Sequence, residues 1–175
     1  MFHTGLVAMA TDVESLYAAV KSLVWVIDCN TNVHHEMERC HGYQTLAYLL
    51  KRHKQFVNSH ILHLILTLVG TSEHGRDYPT TPTNSLAFRD LLADLEVWCD
   101  TPEDLQKSLF ELLYQLASEN PDSRINIRCM RELNMVSKLL YTLQEVDLSP
   151  GARKSLWNLL GALLSTNPRS IDLLS

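Results

Sequence analysis

The chain has 175 residues, 46% of them hydrophobic and 20% charged, which is too apolar for a disordered tail and too interrupted by charge for a membrane bundle. Fifteen Lys and Arg stand against twenty Asp and Glu, a formal net charge of −5, so the electrostatic footprint of a nucleic-acid binder is missing and no nucleic-acid partner is expected. A single domain of this size buries roughly 70% of its extended surface and folds without disulfide or metal staples.

In chain order, apolar residues recur at three- and four-residue spacing, the period of a helix, beginning with Leu16, Val20, Leu23, Val24 and Ile27. The spacing and its punctuation predict helices near 12–28, 33–40, 43–54, 59–70, 85–99, 102–118, 124–145 with a possible break at Asn134, and 150–165. Thr11 and Glu14 have capping-box spacing, and Asn58 and Asn84 precede helical runs as N-caps. Thr101-Pro102-Glu103-Asp104 offers a capping hydroxyl, a proline at the first helical position and carboxylates in the first turn, and Ser149-Pro150 repeats the device. No segment alternates with period two for long enough to make a sheet, so the fold class is all-α. The apolar run Ile61–Val69 is interrupted by His63 and Thr67 and is far short of the ~20 residues that span a bilayer, so no transmembrane segment is expected. Leu6–Ala10 lacks the preceding basic residue and the length of a signal peptide.

Three helices end alike, at Asp28-Cys29-Asn30, Ser118-Glu119-Asn120 and Ser165-Thr166-Asn167. The asparagines stand about two periods and one period of a ~40–47-residue armadillo or HEAT repeat apart. The missing copy falls near residue 75, where the apolar helix ends at Gly70 and a loop over 71–83 reads as an insertion. A second self-alignment pairs Met37 with Met130, Tyr43 with Val136, Leu46 with Leu139 and Leu50 with Leu143. The expected architecture is therefore one armadillo/HEAT-like α-solenoid region over 1–175. Polar capping repeats are missing at both ends, which suggests a fragment of a longer array. Its bare faces are expected to include Leu6 and Val7 at one end and Leu163, Leu164, Leu173 and Leu174 at the other.

The strings Gly42-Tyr43-Gln44-Thr45-Leu46-Ala47-Tyr48-Leu49-Leu50-Lys51, Asn58–Leu64, Leu68-Val69-Gly70-Thr71, Phe88–Trp98 and Met130-Arg131-Glu132 resemble the large BEACH-domain scaffold proteins. The branch they are most similar to is that of the WD repeat and FYVE domain-containing proteins of the Alfy and blue cheese type. The resemblance covers most of the chain and implies an intracellular, noncatalytic scaffold that links protein aggregates and membranes to the autophagy machinery. The BEACH, PH-like, WD-repeat and FYVE portions of that family have no counterpart here, so no functional residue is carried over. Peripheral membrane association would belong to those portions. The implied partners are other protein segments, above all the remainder of the parent chain.

Candidate chemistry is thin. Gly70–Asp77 has the glycine spacing of a phosphate loop, but Arg76-Asp77 replaces the Lys and Ser or Thr that such a loop requires. Cys29, His34, His35, Cys40 and His41 are the best candidate metal ligands and the basis of an alternative reading as a metal-dependent hydrolase, although their spacing fits no standard zinc module. The noncatalytic reading calls for no cofactor. The four cysteines, Cys29, Cys40, Cys99 and Cys129, include no C-x-x-C pair and suit a reducing, cytoplasmic setting. His60, His63 and Thr67 form a polar stripe on an apolar helix, and Lys51, Arg52 and Lys54 crowd a helix end. These six residues are the candidate protein-contact surface. Asp90 and Asp94 are expected on one solvated helical face, and Trp25, Trp98 and Trp157 in the core.

Overall fold

The computed structural model describes residues 2–71 and 79–165. Eleven α-helices occur among the described residues, and no strand. They are α1 (Phe2–Ala8), α2 (Val13–Cys29), α3 (Thr31–Arg39), α4 (Gly42–Arg52), α5 (Ser59–Val69), α6 (Ser85–Ala87), α7 (Leu95–Trp98), α8 (Glu103–Ser118), α9 (Ser123–Glu132), α10 (Met135–Glu145) and α11 (Pro150–Ser165). A π turn, Phe88–Leu92, joins α6 to α7.

The long helices α2, α5, α8 and α11 begin at residues 13, 59, 103 and 150, about 46, 44 and 47 residues apart, which is the armadillo and HEAT spacing. They lead successive repeats. Helix α2 stacks on α5 and α8 on α11, while α5 touches α8 more sparsely. The faces they bury carry the expected apolar positions, with Leu16, Val20, Leu23 and Ile27 of α2 inside and Leu105, Leu109, Leu113 and Leu116 of α8 inside. The second self-alignment is also structural, because it lays α3 and α4 over α9 and α10. Both pairs turn through a left-handed residue at the matching place, His41 at φ 54° and Asn134 at φ 57°. Asn134 is thus the break in the expected helix 124–145.

Local signals differ from expectation in instructive places. The capping box of α2 is made by Asp12 and Ser15 rather than Thr11 and Glu14: the Asp12 carboxylate accepts from the Ser15 N–H at 2.7 Å, and Ser15 Oγ accepts from the Asp12 N–H at 3.1 Å. Thr101 does not cap α8, since its hydroxyl donates backward to the Trp98 carbonyl and leaves Pro102 at the N-cap position. Asn58, Asn84 and Ser149 do accept from the helix N-termini that follow them. Gly70 closes α5 at φ 80°, where a Cβ would lie 1.9 Å from Thr83 Oγ1.

The expected helix 85–99 is divided into α6, the π turn and α7, because the Ala93 N–H bonds back to the Phe88 carbonyl and Asp94 begins a new helix. Trp98 is buried there and its Nε1–H donates to the Leu91 carbonyl at 3.1 Å. Trp25 and Trp157, expected in the core, are 70% and 54% exposed. Helix α1 was absent from the expected elements: Val7 is fully buried, and α1 packs on α2 and α4. Val7 and Leu163, expected as bare, are both covered, whereas Leu6 and Leu164 are exposed; Leu173 and Leu174 lie outside the described residues.

Residues 72–78 of the expected insertion, and with them most of the phosphate-loop-like string, also lie outside the described residues. What flanks them is tied down. The Val69 carbonyl accepts from the N–H groups of Thr83 and Asn84, the Thr71 carbonyl accepts from the Thr80 N–H, and Asn120 donates from Nδ2 to the Pro79 carbonyl at 2.8 Å.

Candidate protein-contact surface

The cations at the end of α4 face carboxylates that sequence spacing did not connect to them. Lys51 Nζ is 2.7 Å from Asp94 Oδ2 and 3.0 Å from Glu96 Oε2, and Lys54 Nζ is 3.2 Å from Asp100 Oδ2. Asp94 is therefore no solvated acid: it also accepts from the Glu96 N–H as the N-cap of α7. Nor does it share a helix with Asp90, which is held by Arg89 through two bonds of 2.7 and 2.9 Å. Burial disfavours the Lys51 charge, but its two carboxylate partners outweigh that and raise its pKa above the ordinary lysine value. The same hydrogen bond from Lys51 lowers the pKa of Glu96. Arg52 is exposed and its guanidinium lies 5.9 Å from the centre of the Tyr48 ring.

Lys51, Lys54, Asp94, Glu96 and Asp100, but not Arg52, line two open cavities of about 550 and 350 Å3 that share Lys51, Asp94 and Lys138. Lys138 ties α10 into the same shelf by donating to the Ala93 carbonyl at 3.1 Å. Leu95, Tyr141 and Val146 supply apolar surface in the larger cavity. Cys99 also lines it, its thiol pKa raised by burial.

The second candidate strip lies on α5. His60 and His63 are exposed, with the His60 ring edge-on to Tyr17 at 6.0 Å. Thr67 is half-buried and donates to the His63 carbonyl at 3.1 Å. It also borders a shallow groove of about 290 Å3 with Asp28, His34 and Asn84. At the back of that region the buried Tyr43 hydroxyl is 3.0 Å from His34 Nδ1 and accepts from Asn84 Nδ2 at 3.0 Å. Burial raises the pKa of Tyr43 and likewise that of Asp28, the latter opposed by nearby His34.

The histidine and cysteine cluster does not assemble. His34 is committed to Tyr43, His35 Nδ1 stands 3.4 Å from Glu38, and Cys40 Sγ donates to Glu36 Oε1 at 3.0 Å. That bond raises the Cys40 pKa and so favours the thiol over the thiolate a zinc ion requires. The His34 and His35 rings lie 5.9 Å apart but turn to different partners, Tyr43 and Glu38, and His41 sits at the left-handed junction beyond the helix. Among the described residues no group of three or more His, Cys, Asp or Glu has metal-binding geometry. Among them too, no helix is long and apolar enough to cross a membrane.

Comparison with known proteins agrees with the stacked helices. The chain is 32% identical over 170 residues to WD repeat- and FYVE domain-containing protein 4 of Mus musculus and 31% identical over 170 residues to the Homo sapiens protein of that name. Each alignment takes in 97% of this chain but only 5% of the relative. No solved structure matches. Residues 8–150 match the family model described as the Neurobeachin/BDCP DUF4704 alpha solenoid region, and the chain belongs to that family.

Proposed function

We propose that the chain is a noncatalytic segment of an α-solenoid scaffold, one continuous armadillo-like region with an insertion at 71–83, that works by making protein contacts. The observation that carries this reading is the stack of leading helices α2, α5, α8 and α11 at repeat spacing, since solenoids use their length as binding surface. The BEACH-family resemblance implies a cytoplasmic setting and a part in a large adaptor that joins aggregates and membranes to autophagy, and the relatives of which this chain matches 5% are long enough for such a scaffold. His60, His63 and Thr67 on α5, and Lys51, Arg52 and Lys54 with their acidic partners at the end of α4, form the contact surface. A partner strand laid along the shelf would exchange its own charges with Glu96 and Asp100, both 76% exposed at the side chain.

The test has two arms. In cells making the full-length polypeptide, His60→Asp with Arg52→Glu is expected to slow aggregate clearance without lowering protein abundance. Unchanged clearance contradicts the adaptor role. Elemental analysis of the purified chain is expected to find no stoichiometric metal, and one zinc per chain with hydrolytic turnover overturns the noncatalytic reading.

A further inference from the structure

The leading helices are equivalent, so their corresponding positions can be compared for what covers them. Helices α8 and α11 both span sixteen residues and align without a gap from Glu103 on Pro150 to Ser118 on Ser165. In that register Phe110, Tyr114 and Ala117 of α8 correspond to Trp157, Gly161 and Leu164 of α11. Phe110 and Ala117 are each 3% exposed and Tyr114 is half-buried, whereas Trp157 and Leu164 are 54% and 60% exposed and Gly161 is exposed as well.

The α8 face is the one turned to its successor. A Cβ on Gly151, at the start of α11, would lie 2.8 Å from the carboxylate of Glu103 and 4.0 Å from the side chain of Lys107, two turns and one turn before Phe110 on α8. On α11 the equivalent face is apolar at both ends and bare in the middle, where a Cβ added to Gly161 would meet nothing within 4 Å. A second helix can therefore approach closely between Trp157 and Leu164.

We propose that this face of α11 is the seat of one more leading helix, the amphipathic first helix of a further repeat, continuing the stack α2, α5, α8, α11. The occupant follows from continuity with the interface already formed between α8 and α11. It also accords with relatives of which the chain accounts for only 5% of the length. A second copy of this chain is disfavoured by size, because a fully exposed tryptophan offers about 150–250 Å2 and a stable dimer needs roughly 800 Å2 from each partner. The proposal rests on the solenoid reading, but it has its own readout.

The experiment is hydroxyl-radical footprinting of the chain alone and of the chain extended by the next repeat, about 47 residues, taken from beyond the matched segment of the mouse relative. Trp25, 70% exposed on α2, serves as the reference in the same sample. Trp157 is expected to react like Trp25 in the chain alone and to fall to the level of buried Trp98 in the extended chain. Trp157→Lys and Leu164→Lys should leave the melting temperature of the unextended chain unchanged and abolish the rise that the extension brings. Equal reactivity of Trp157 with and without the extension overturns the proposal. So does protection that grows with concentration in the chain alone, which would assign the face to a second copy. Zinc or turnover would sink the noncatalytic reading and leave the footprint untouched.

Discussion

The middle repeat and the one after it solve the same packing problem with different backbone. The third repeat follows α8 with two regular helices, α9 and α10, whereas the second follows α5 with the short α6, a π turn and the four-residue α7. Yet the irregular pieces hold some of the most completely buried side chains of the molecule, with Leu91, Leu92, Ala93 and Val97 at 0% exposure. A repeat is therefore defined by its leading helix and by what it inserts between neighbours, and continuous helix in its second half is dispensable.

That comparison can be broken most forcefully at Trp98. Its ring is buried and its Nε1–H is satisfied by the Leu91 carbonyl, so Trp98→Ala should cost about 3–5 kcal/mol in urea unfolding. Trp25→Ala on the regular and exposed surface of α2 should stay within about 0.5 kcal/mol. Equal effects would mean that the irregular half-repeat is not part of the core.

The joint between α5 and α6 is next. Gly70→Ala must place a Cβ both in a left-handed backbone and against the Thr83 hydroxyl, for a loss of roughly 1–2 kcal/mol or more. Thr83→Ala in the same chain should recover most of the steric part, since it removes the hydroxyl but leaves the Thr83 Cβ position at 3.1 Å, and should leave the backbone part.

A smaller effect is expected where the irregular repeat meets α4. Lys51 has a raised pKa, so its contribution is in place below about pH 10.4, the unfolded value, and is lost as pH rises through the folded one. Glu96 has a lowered pKa, so its contribution is in place above about pH 4.3 and is lost as pH falls through the folded value. Lys51→Met should flatten both limbs of the stability profile, at a cost of no more than ~1 kcal/mol near neutrality because the cluster is open to solvent. A profile unchanged at both ends would show that the pairs contribute nothing.

The smallest changes sharpen the likeness between the outer repeats. His41→Gly and Asn134→Gly relieve the same left-handed strain at the same repeat position, so both should stabilise, His41→Gly by at most about 1 kcal/mol and Asn134→Gly by a few tenths. Calorimetric melting distinguishes them.

Sequence periodicity is a local signal, and it located the leading helices to within a residue or two of their ends because Leu16, Leu109 and Leu156 repeat with their neighbours inside one element. It failed where a tertiary contact decides. Seven residues around Gly5 make α1 only because Val7 finds a cover on α2 and α4. Trp25 and Trp157 fall in apolar patterns, yet Trp25 lies on the face of α2 opposite its buried stripe and Trp157 lies beside that of α11, and composition does not state how wide a stripe is. The proposed contact surface was legible as residues but not in what those residues touch. Lys51 lies 43 residues from Asp94 in the chain, and only the docking of α7 on α4 reveals that the basic helix end and the acidic segment are one cluster.

The central claim, that stability here passes from repeat to repeat, is tested most directly by hydrogen exchange of the chain carrying Leu23→Ala in the buried face of α2. Close stacking of α2 on α5 and of α8 on α11, with the looser α5–α8 contact between them, predicts that amides of α2 and α5 exchange faster while those of α8 and α11 keep their protection. Equal acceleration in all four helices would contradict the account and show one cooperative core.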